Sequence, residues 1–155
     1  MEQHSFERLT NSILELSESN DFDMARKEWS LYHIEISEEF SECLCGQPIK
    51  EHCYIRNNLN GNETYVGNVC INRFIKIDTG NLFEGLRRII NDEKANPNKD
   101  LIEHAYRMGY LYDEKEYRFL LDTMKKRKLT EAQLSWKKKI NRRIVSKTVV
   151  RKRTS

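Results

Sequence analysis

The chain has 155 residues, of which 33% are charged and only 38% are hydrophobic, so the apolar core must be small for this length. No stretch approaches the ~18 consecutive apolar residues of a membrane span, and residues 1–5 lack the basic and apolar regions of a secretory signal. The composition argues against a membrane protein and predicts a cytoplasmic, intracellular one.

The net charge of +3 conceals a strong polarity along the chain. Residues 1–42 contain eleven acidic and three basic residues, residues 43–124 contain twelve and eleven, and residues 125–155 contain one and thirteen. Such asymmetry indicates an electrostatic partner for the basic end. The simplest interpretation of the acidic first third is a solvated surface, and the alternative is that it covers the basic end or binds a cationic patch on another protein.

The first predicted elements are a helix and a strand. Apolar side chains recur at intervals of three and four within residues 3–19, namely at Phe6, Leu9, Ile13 and Leu16. This is the stripe of a short amphipathic helix, whose other face is acidic. Within residues 29–36, Tyr32, Ile34 and Ile36 alternate with Leu31, His33 and Glu35. This period of two predicts a strand that leads toward the cysteines.

All four cysteines fall within residues 43–70, with one, seven and sixteen residues between successive ones. Four thiolates in one region suit a tetrahedral structural zinc, which accepts a closed shell of cysteine sulfurs. Gly46 directly follows the Cys-x-Cys pair, where a tight turn must aim backbone amides at sulfur, and glycine tolerates the positive φ of such a turn. The pattern therefore predicts Zn²⁺ as a cofactor, bound by Cys43, Cys45, Cys53 and Cys70.

The fourth ligand is the open part of this prediction, and His52 and His33 are the alternatives for one sulfur. Three other interpretations of the cysteines compete with a metal site: disulfides, inert buried thiols, and redox or catalytic thiols. Disulfides need an oxidising compartment, and Cys-x-Cys-Gly is a poor way to pack a core. A structural metal remains the leading interpretation.

The residues between the second and fourth cysteines predict a hairpin. Residues 53–56 and 63–66 are prone to form strands, and the loop between them contains an Asn-Gly pair, which is a strong hairpin signal. Cys70 lies at the predicted start of a short helix through Phe74, where the helix dipole favours a thiolate. The first cysteine pair and the hairpin can therefore face each other.

Four further helices are predicted after the hairpin, with starts and stops marked by Thr79 or Asn81, Asn98, Gly109, Asp113 and Thr130. Thr130 and Gln133 have the spacing of a capping box. The last helix carries apolar residues at every fourth position, Trp136, Ile140 and Ile144, and its other positions are mainly cationic. One face of this helix is therefore predicted to pack and the other to be exposed.

Together these elements predict an α+β fold, in which a zinc-stabilised, treble-clef-like β-hairpin packs with a small helical bundle. We expect an acidic amphipathic helix in residues 1–28 and a zinc-binding strand-hairpin-helix module in residues 29–78. A helical region in residues 79–146 and a basic flexible tail in residues 147–155 complete the predicted organisation.

The cysteine turn, hairpin and helix-start cysteine resemble a treble-clef-like zinc finger. Such fingers usually take their last two ligands from the helix as Cys-x-x-Cys, whereas here Arg73 stands three after Cys70, so Cys53 would close the shell. The chain also resembles a group of small bacterial and phage proteins to which no activity is attached, in Glu28-Trp29, residues 43–49, 55–57, 60–62, 66–70, Arg73-Phe74, and residues 125–133 and 140–144. The match covers most of residues 28–145 and implies a fold rather than a function.

The leading functional prediction is a non-catalytic zinc-finger protein that binds nucleic acid, either DNA or RNA. The candidate contacts are cations of the hairpin region and of the basic end: Arg56, Arg73, Lys125, Lys126, Arg127, Lys128, Lys137, Lys138, Lys139, Arg142, Arg143, Lys147, Arg151, Lys152 and Arg153. Tyr54 and Tyr65 are further candidates, and their plainer interpretation is as surface and core residues of the strands. Neither a membrane nor a small-molecule substrate is indicated.

Two other functions stay open. The runner-up is a protein-interaction factor, for example a phage-type modulator or inhibitor of a host enzyme, which docks through its acidic and basic surfaces. The minor alternative is a treble-clef metal-dependent nuclease, but Asn72, Arg73 and Lys76 stand where it would need a histidine base and further ligands. The chain also lacks a Gly-rich phosphate loop, a Gly-x-Ser-x-Gly elbow and a His-Glu-x-x-His pair, so an enzyme is less favoured.

Overall fold

The chain divides into two compact units, Met1–Thr79 and Gly80–Ser155, here called unit 1 and unit 2. The computed structural model describes residues 2–152. Unit 1 combines helices with a sheet, and the described part of unit 2 is helical, so the fold is α+β as predicted. Within residues 2–152, no helix has both the length and the apolar character needed to cross a bilayer.

Unit 1 begins with helices and continues into a three-stranded antiparallel sheet in the order β1-β2-β3. The strands are β1 (Trp29–Glu42), β2 (Pro48–Asn57) and β3 (Glu63–Gly67). The helical segments are α1 (Glu2–Leu16), α2 (Phe22–Ala25), a 3-10 turn (Arg26–Glu28), α3 (Asn68–Cys70) and a π-helical turn (Ile71–Ile75). Leu9 and Ile13 on α1 are completely buried, as the apolar stripe predicts.

Strand β1 is longer than predicted, because it continues past Ile36 to Glu42. Its pairing with β2 shifts register between Leu31 and His33, which leaves Tyr32 as an extra residue at a bulge. Trp29 and Ile34 are both buried, and they pair with Asn57 and Cys53, two positions on the same face of β2. The bulge therefore brings two apolar residues of opposite sequence parity onto one face of the sheet.

The loop between β2 and β3 is fastened to the end of α1 by asparagine side chains. Asn60 and Asn62 each donate from Nδ2 to the carbonyl oxygen of Leu16 at 2.9 Å. Asn57 donates to the buried carboxylate of Glu28 at 2.9 Å, and that carboxylate also accepts two backbone N–H groups from the connection after α1 at 2.8 and 2.9 Å. The bond from Asn57, with those from the backbone, keeps the pKa of Glu28 below its ordinary value despite burial.

The described part of unit 2 contains four helices: α4 (Leu82–Asn91), α5 (Lys99–Met108), α6 (Glu114–Thr123) and α7 (Glu131–Ser146). Asn98, Asp113 and Thr130 cap α5, α6 and α7 with their side chains, and Gln133 completes the predicted capping box. On α7, Ile140 and Ile144 are buried and Trp136 stacks on Phe119 with ring centroids 4.1 Å apart. The predicted packed face of the last helix is confirmed.

Residues 148–152, here called the C-terminal strap, lie within the segment predicted as a flexible tail and contact the end of α5. The backbone N–H groups of Val150 and Arg151 donate to the carbonyl oxygen of Gly109 at 2.8 and 3.2 Å. The Arg151 guanidinium lies 4.5 Å from the ring centroid of Tyr106 and donates to the carbonyl oxygens of Tyr106 and Leu111. These partners lie about forty residues earlier in the chain, so local composition does not indicate the contacts.

Candidate functional site

The first part of the candidate metal centre is a tight turn after β1. The N–H of Cys43 donates to the carbonyl oxygen of Gln47 at 2.9 Å, and the N–H of Gly46 donates to the carbonyl oxygen of Cys43 at 2.8 Å. Gly46 has φ +93°, which confirms the predicted left-handed conformation. The turn brings Cys45 back beside Cys43.

The second part comes from the end of β3. The N–H of Gly67 donates to the Cys43 sulfur at 3.2 Å, and α3 then carries Cys70 toward the turn. A Cβ at Gly67 would lie 2.8 Å from Cγ2 of Ile49, closer than real Cβ contacts permit. Gly67 therefore allows β3 to approach the strand beside it closely enough for its amide to reach the sulfur.

Three sulfur atoms meet where these parts converge. The Sγ atoms of Cys43, Cys45 and Cys70 all lie within 4.8 Å of one another, and the three residues are only 2%, 4% and 6% exposed. Tetrahedral zinc with Zn–S bonds of about 2.3 Å holds its sulfurs about 3.8 Å apart. The three cysteines, here called the cysteine cluster, can therefore hold a metal ion.

Hydrogen bonds favour a thiolate within the cysteine cluster. The pKa of Cys43 is lowered to about 5, chiefly because the Cys70 thiol donates to its sulfur, with help from the backbone N–H groups of Cys45 and Gly67. The same bond and the burial of the site raise the pKa of Cys70. A stabilised thiolate beside two further cysteine sulfurs is suitable chemistry for binding a soft cation.

Cys53, the fourth predicted ligand, lies apart from the cluster. It is completely buried on β2, between Ile34 of β1 and Val66 of β3, and burial raises the pKa of its thiol. Within residues 2–152, no further cysteine, histidine or carboxylate joins the three sulfurs at the same spacing. The structure thus brings together three of the four predicted cysteines.

The histidine alternatives lie on the other face of the sheet. His33 stacks on Tyr54 with ring centroids 4.3 Å apart, and His52 lies 4.8 Å from the Tyr65 ring. Successive residues of a strand point to opposite faces, so His52 and Tyr54 face away from Cys53. Neither histidine belongs to the cysteine cluster.

Arg8 of α1 also lies at the candidate metal centre, although the sequence pattern did not indicate it. A Cβ at Gly46 would lie 2.1 Å from Nη1 of Arg8, so the guanidinium lies directly over the turn. Arg8 also donates to Glu42, the last residue of β1, at 2.9 Å. Its position on the polar side of an amphipathic helix gave no sign of this contact, because the turn is more than thirty residues away.

The predicted nucleic-acid contacts of unit 1 have local partners. Arg56 lies 3.9 Å from Glu63 across the hairpin and 5.8 Å from the ring centroid of Tyr32. Arg73 lies over the ring of Phe74 at 5.7 Å. Tyr54 and Tyr65 are half-buried strand residues that pack against each other, with ring centroids 5.5 Å apart.

Most of the predicted cations of unit 2 line two adjoining depressions. The larger, of about 700 Å³, is lined by five cations, Lys94, Lys125, Lys126, Arg127 and Lys128, and by Asp92 as the acidic residue. The smaller, of about 380 Å³, is lined by Lys138, Lys139, by Arg142, which is paired with Glu93, and by Glu131 as the acidic residue, and both depressions share Leu134. These eight cations are here called the cationic surface.

Lys137 is a predicted contact that the structure turns inward. It is completely buried, and its amine donates to Thr123 at 2.9 Å and to the Asn96 side chain. Burial lowers its pKa to about 8. Because an enclosed amine cannot reach an external phosphate, Lys137 does not belong to the cationic surface, although it lies between exposed cations in the sequence.

Other predicted cations are engaged within unit 2. Arg143 is held in a buried ion pair with Glu116. Arg151 belongs to the C-terminal strap, and Lys147 ends α7 with φ 54°. Lys152 is exposed, and Arg153 lies outside the described residues.

No protein-family model, no curated protein and no solved structure matches this chain. The cysteine cluster of unit 1 and the cationic surface of unit 2 are therefore the features from which a function can be inferred.

Proposed function

We propose that the protein binds nucleic acid without catalysis, through the cationic surface of unit 2, while a structural zinc stabilises unit 1. The observation that carries this proposal is the clustering of eight cations around two adjoining depressions. Phosphate groups are the ligands that such a surface attracts, and their binding releases counterions from the nucleic acid. The comparisons with known proteins neither support nor contradict this function.

The distribution of charge between the units favours unit 2 as the binding unit. Unit 1 contains fourteen acidic and seven basic residues, whereas unit 2 contains ten acidic and twenty basic residues. A polyanion would therefore be repelled by one unit and attracted by the other. Zinc in unit 1 then supports the fold and does not contact the ligand.

The number of cations after α6 exceeds what the helix itself needs. Residues 125–128 are four consecutive, exposed cations that follow the last turn of α6. A cation at a helix carboxyl end is favoured by roughly 0.3–1 kcal/mol when exposed, but this effect is confined to the last turn. Lys138 and Lys139 lie on a different helix and extend the positive charge beyond that end.

Support for zinc comes from the donor set and the size of the core. Three buried sulfurs, one of them stabilised as a thiolate, fit a soft divalent cation better than a hard one. We assign Cys43, Cys45 and Cys70 as ligands and retain Cys53 as the fourth. A chain with 38% hydrophobic residues gains stability from such a centre, since small cores often need a metal or a disulfide.

The experiment that tests nucleic-acid binding is fluorescence anisotropy with labelled DNA and RNA at several salt concentrations. We expect log affinity to fall linearly with log salt, with a slope of about −0.9 per phosphate contact on duplex DNA. Lys126→Glu should weaken binding strongly, and Lys115→Glu, an equally exposed lysine outside the cationic surface, should weaken it much less.

Absence of binding to any DNA or RNA at ~50 mM salt, where phosphate contacts are strong, would show that the proposed function is wrong. A protein-interaction factor would then be the better proposal. A pull-down from cell lysate with Lys126→Glu as the control would identify its partner.

A further inference from the structure

The larger depression of unit 2 is lined by both apolar and cationic side chains. Four of them are apolar and half-buried and are here called the floor: Ala95, Met124, Leu129 and Leu134. Five are exposed cations and are here called the rim: Lys94, Lys125, Lys126, Arg127 and Lys128. Its volume of about 700 Å³ lies within the range of about 300–1,000 Å³ that is typical of ligand-binding clefts.

The walls of the depression are fixed by polar side chains of α7. Asn141 donates to the carbonyl oxygens of Glu93 and Ala95 at 2.8 and 2.9 Å, which holds the loop before α5 in place. Asn96 donates to the carbonyl oxygen of Lys126 at 3.0 Å and accepts from the buried Lys137 amine. The loop and the basic segment are therefore joined to each other, and the site does not have to form when a ligand arrives.

We infer that this depression binds an unpaired nucleotide, with the base against the apolar floor and the flanking phosphates on the cationic rim. This inference rests on the proposed function and specifies its substrate class as single-stranded nucleic acid. The charge of the rim selects a polyanion. The floor selects one whose planar, apolar surfaces are accessible, as they are in an unpaired strand and not within a duplex.

Charge alone would give the opposite preference. A duplex has more phosphates per unit length than a single strand, so a surface that recognised only phosphates would bind duplex DNA at least as tightly. A preference for the single strand must therefore come from the bases. Because every base has an apolar face, the floor should recognise unpaired bases with little dependence on sequence.

The test compares three labelled probes of about 12 nucleotides by anisotropy at one salt concentration, on the scale of single-strand sites of about 4–16 nucleotides. They are a single strand, its duplex, and the same strand with abasic central positions. We expect the full-length protein to bind the single strand about tenfold more tightly than the abasic strand, the scale of burying about 55 Å² of apolar base surface. It should also bind the single strand more tightly than the duplex.

Two substitutions connect this preference to the floor. Leu134→Ala should reduce the ratio between intact and abasic strands and leave affinity for the abasic strand unchanged, because the rim is untouched. Leu121→Ala, which truncates a half-buried leucine of α6 outside the depression, should leave the ratio unchanged. Leu129→Ala is a second floor variant in case Leu134→Ala unfolds.

Equal affinity for the intact and abasic strands would overturn the inference and leave the proposed function standing, since the phosphates alone would then be recognised. A duplex that binds as tightly as the single strand would overturn it as well. Absence of binding to all three probes at ~50 mM salt would overturn both this inference and the proposed function.

Discussion

Arg143 and Glu116 form a two-pronged ion pair in the interior of unit 2. Nη1 donates to Oε1 at 2.9 Å and Nη2 donates to Oε2 at 2.6 Å, with side chains that are 15% and 7% exposed. The carboxylate also accepts the indole N–H of Trp136 at 2.9 Å and the backbone N–H of Tyr112 at 2.7 Å. One carboxylate therefore joins α6 to α7 and to the turn after α5.

Removal of the arginine should strongly destabilise unit 2. Arg143→Ala leaves the buried Glu116 charge without its partner, and breaking such a pair costs about 3–5 kcal/mol. Arg142→Ala is the matched control, since the neighbouring arginine pairs with Glu93 at the surface and should have little effect on unfolding. Equal losses of stability in the two variants, measured by chemical denaturation, would contradict this account.

The same ion pair predicts a loss of stability in acid. Burial alone would raise the pKa of Glu116, but hydrogen bonds from Arg143, Tyr112 and Trp136 outweigh it and hold the pKa below the ordinary 4.5. Because the folded pKa is lower than the unfolded one, the stabilisation is present above pH 4.5 and is lost as the pH falls through the folded pKa. Glu116→Gln should flatten this acid-side slope in denaturation experiments at a series of pH values, and parallel curves for the two proteins would disprove the assignment.

Two lysines of α7, one exposed and one buried, allow a test of which cations contact nucleic acid. Lys139→Met removes an exposed cation of the cationic surface and should reduce the salt slope of binding by about 0.9 on duplex DNA if it contacts one phosphate. Lys137→Met removes an enclosed amine and should leave the slope unchanged. Equal slopes in these two variants, measured by anisotropy over a salt series, would show that position on α7 does not determine contact.

The C-terminal strap should matter for folding more than for binding. Arg151→Ala removes a guanidinium that joins the strap to Tyr106 and Leu111, so we expect a lower melting temperature. Gly109→Ala should be more damaging, because the added Cβ would lie 2.2 Å from the carbonyl oxygen of Arg151 and the residue has φ +81°. Lys152→Ala, an exposed cation in the same segment, is the control, and unchanged melting of all three variants would mean that the strap does not stabilise unit 2.

The cysteine cluster predicts a zinc content of about one per chain by elemental analysis, as four-coordinate structural sites hold one ion. Cys45→Ser should abolish loading and lower the melting temperature of unit 1, since metal binding and folding are linked. Cys53→Ser should retain zinc but lose it faster to a chelator, because three sulfurs remain. A folded protein without metal would contradict the zinc proposal, and identical zinc retention in wild type and Cys53→Ser would exclude Cys53 as the fourth ligand.

Features governed by neighbouring residues could be predicted from the sequence. Gly46 adopts its left-handed conformation because a turn of five residues requires it, and Thr130 caps α7 because Gln133 lies three positions later. The hairpin and the four helices of unit 2 follow from similar local signals. In each case the determining chemistry is within a few residues of its effect.

Features governed by distant partners could not be predicted in this way. The sequence predicts Lys137 to be a surface cation, because its immediate neighbours are Trp136 and further lysines. The fold brings Asn96 and Thr123 close to it, and these partners make it a buried hydrogen-bond donor. The cysteine pattern likewise left the fourth ligand open, and only the sheet register shows that Cys53 lies between Ile34 and Val66, outside the three close sulfurs. Spacing along the chain indicates which residue types occur together, and it does not determine which side chains the sheet points toward one another.

The hydrogen bonds from α7 to the loop before α5 have a consequence for the nascent chain. Lys137 and Asn141 bond to residues made 41 to 48 positions earlier. At a synthesis rate of about 5–20 residues per second, this loop waits roughly 2–10 s for its partners. All three strands in the described part of unit 1 exist once Gly67 has been made. During translation its sheet can therefore assemble while α4, α5 and α6 are still incomplete and accessible to chaperones.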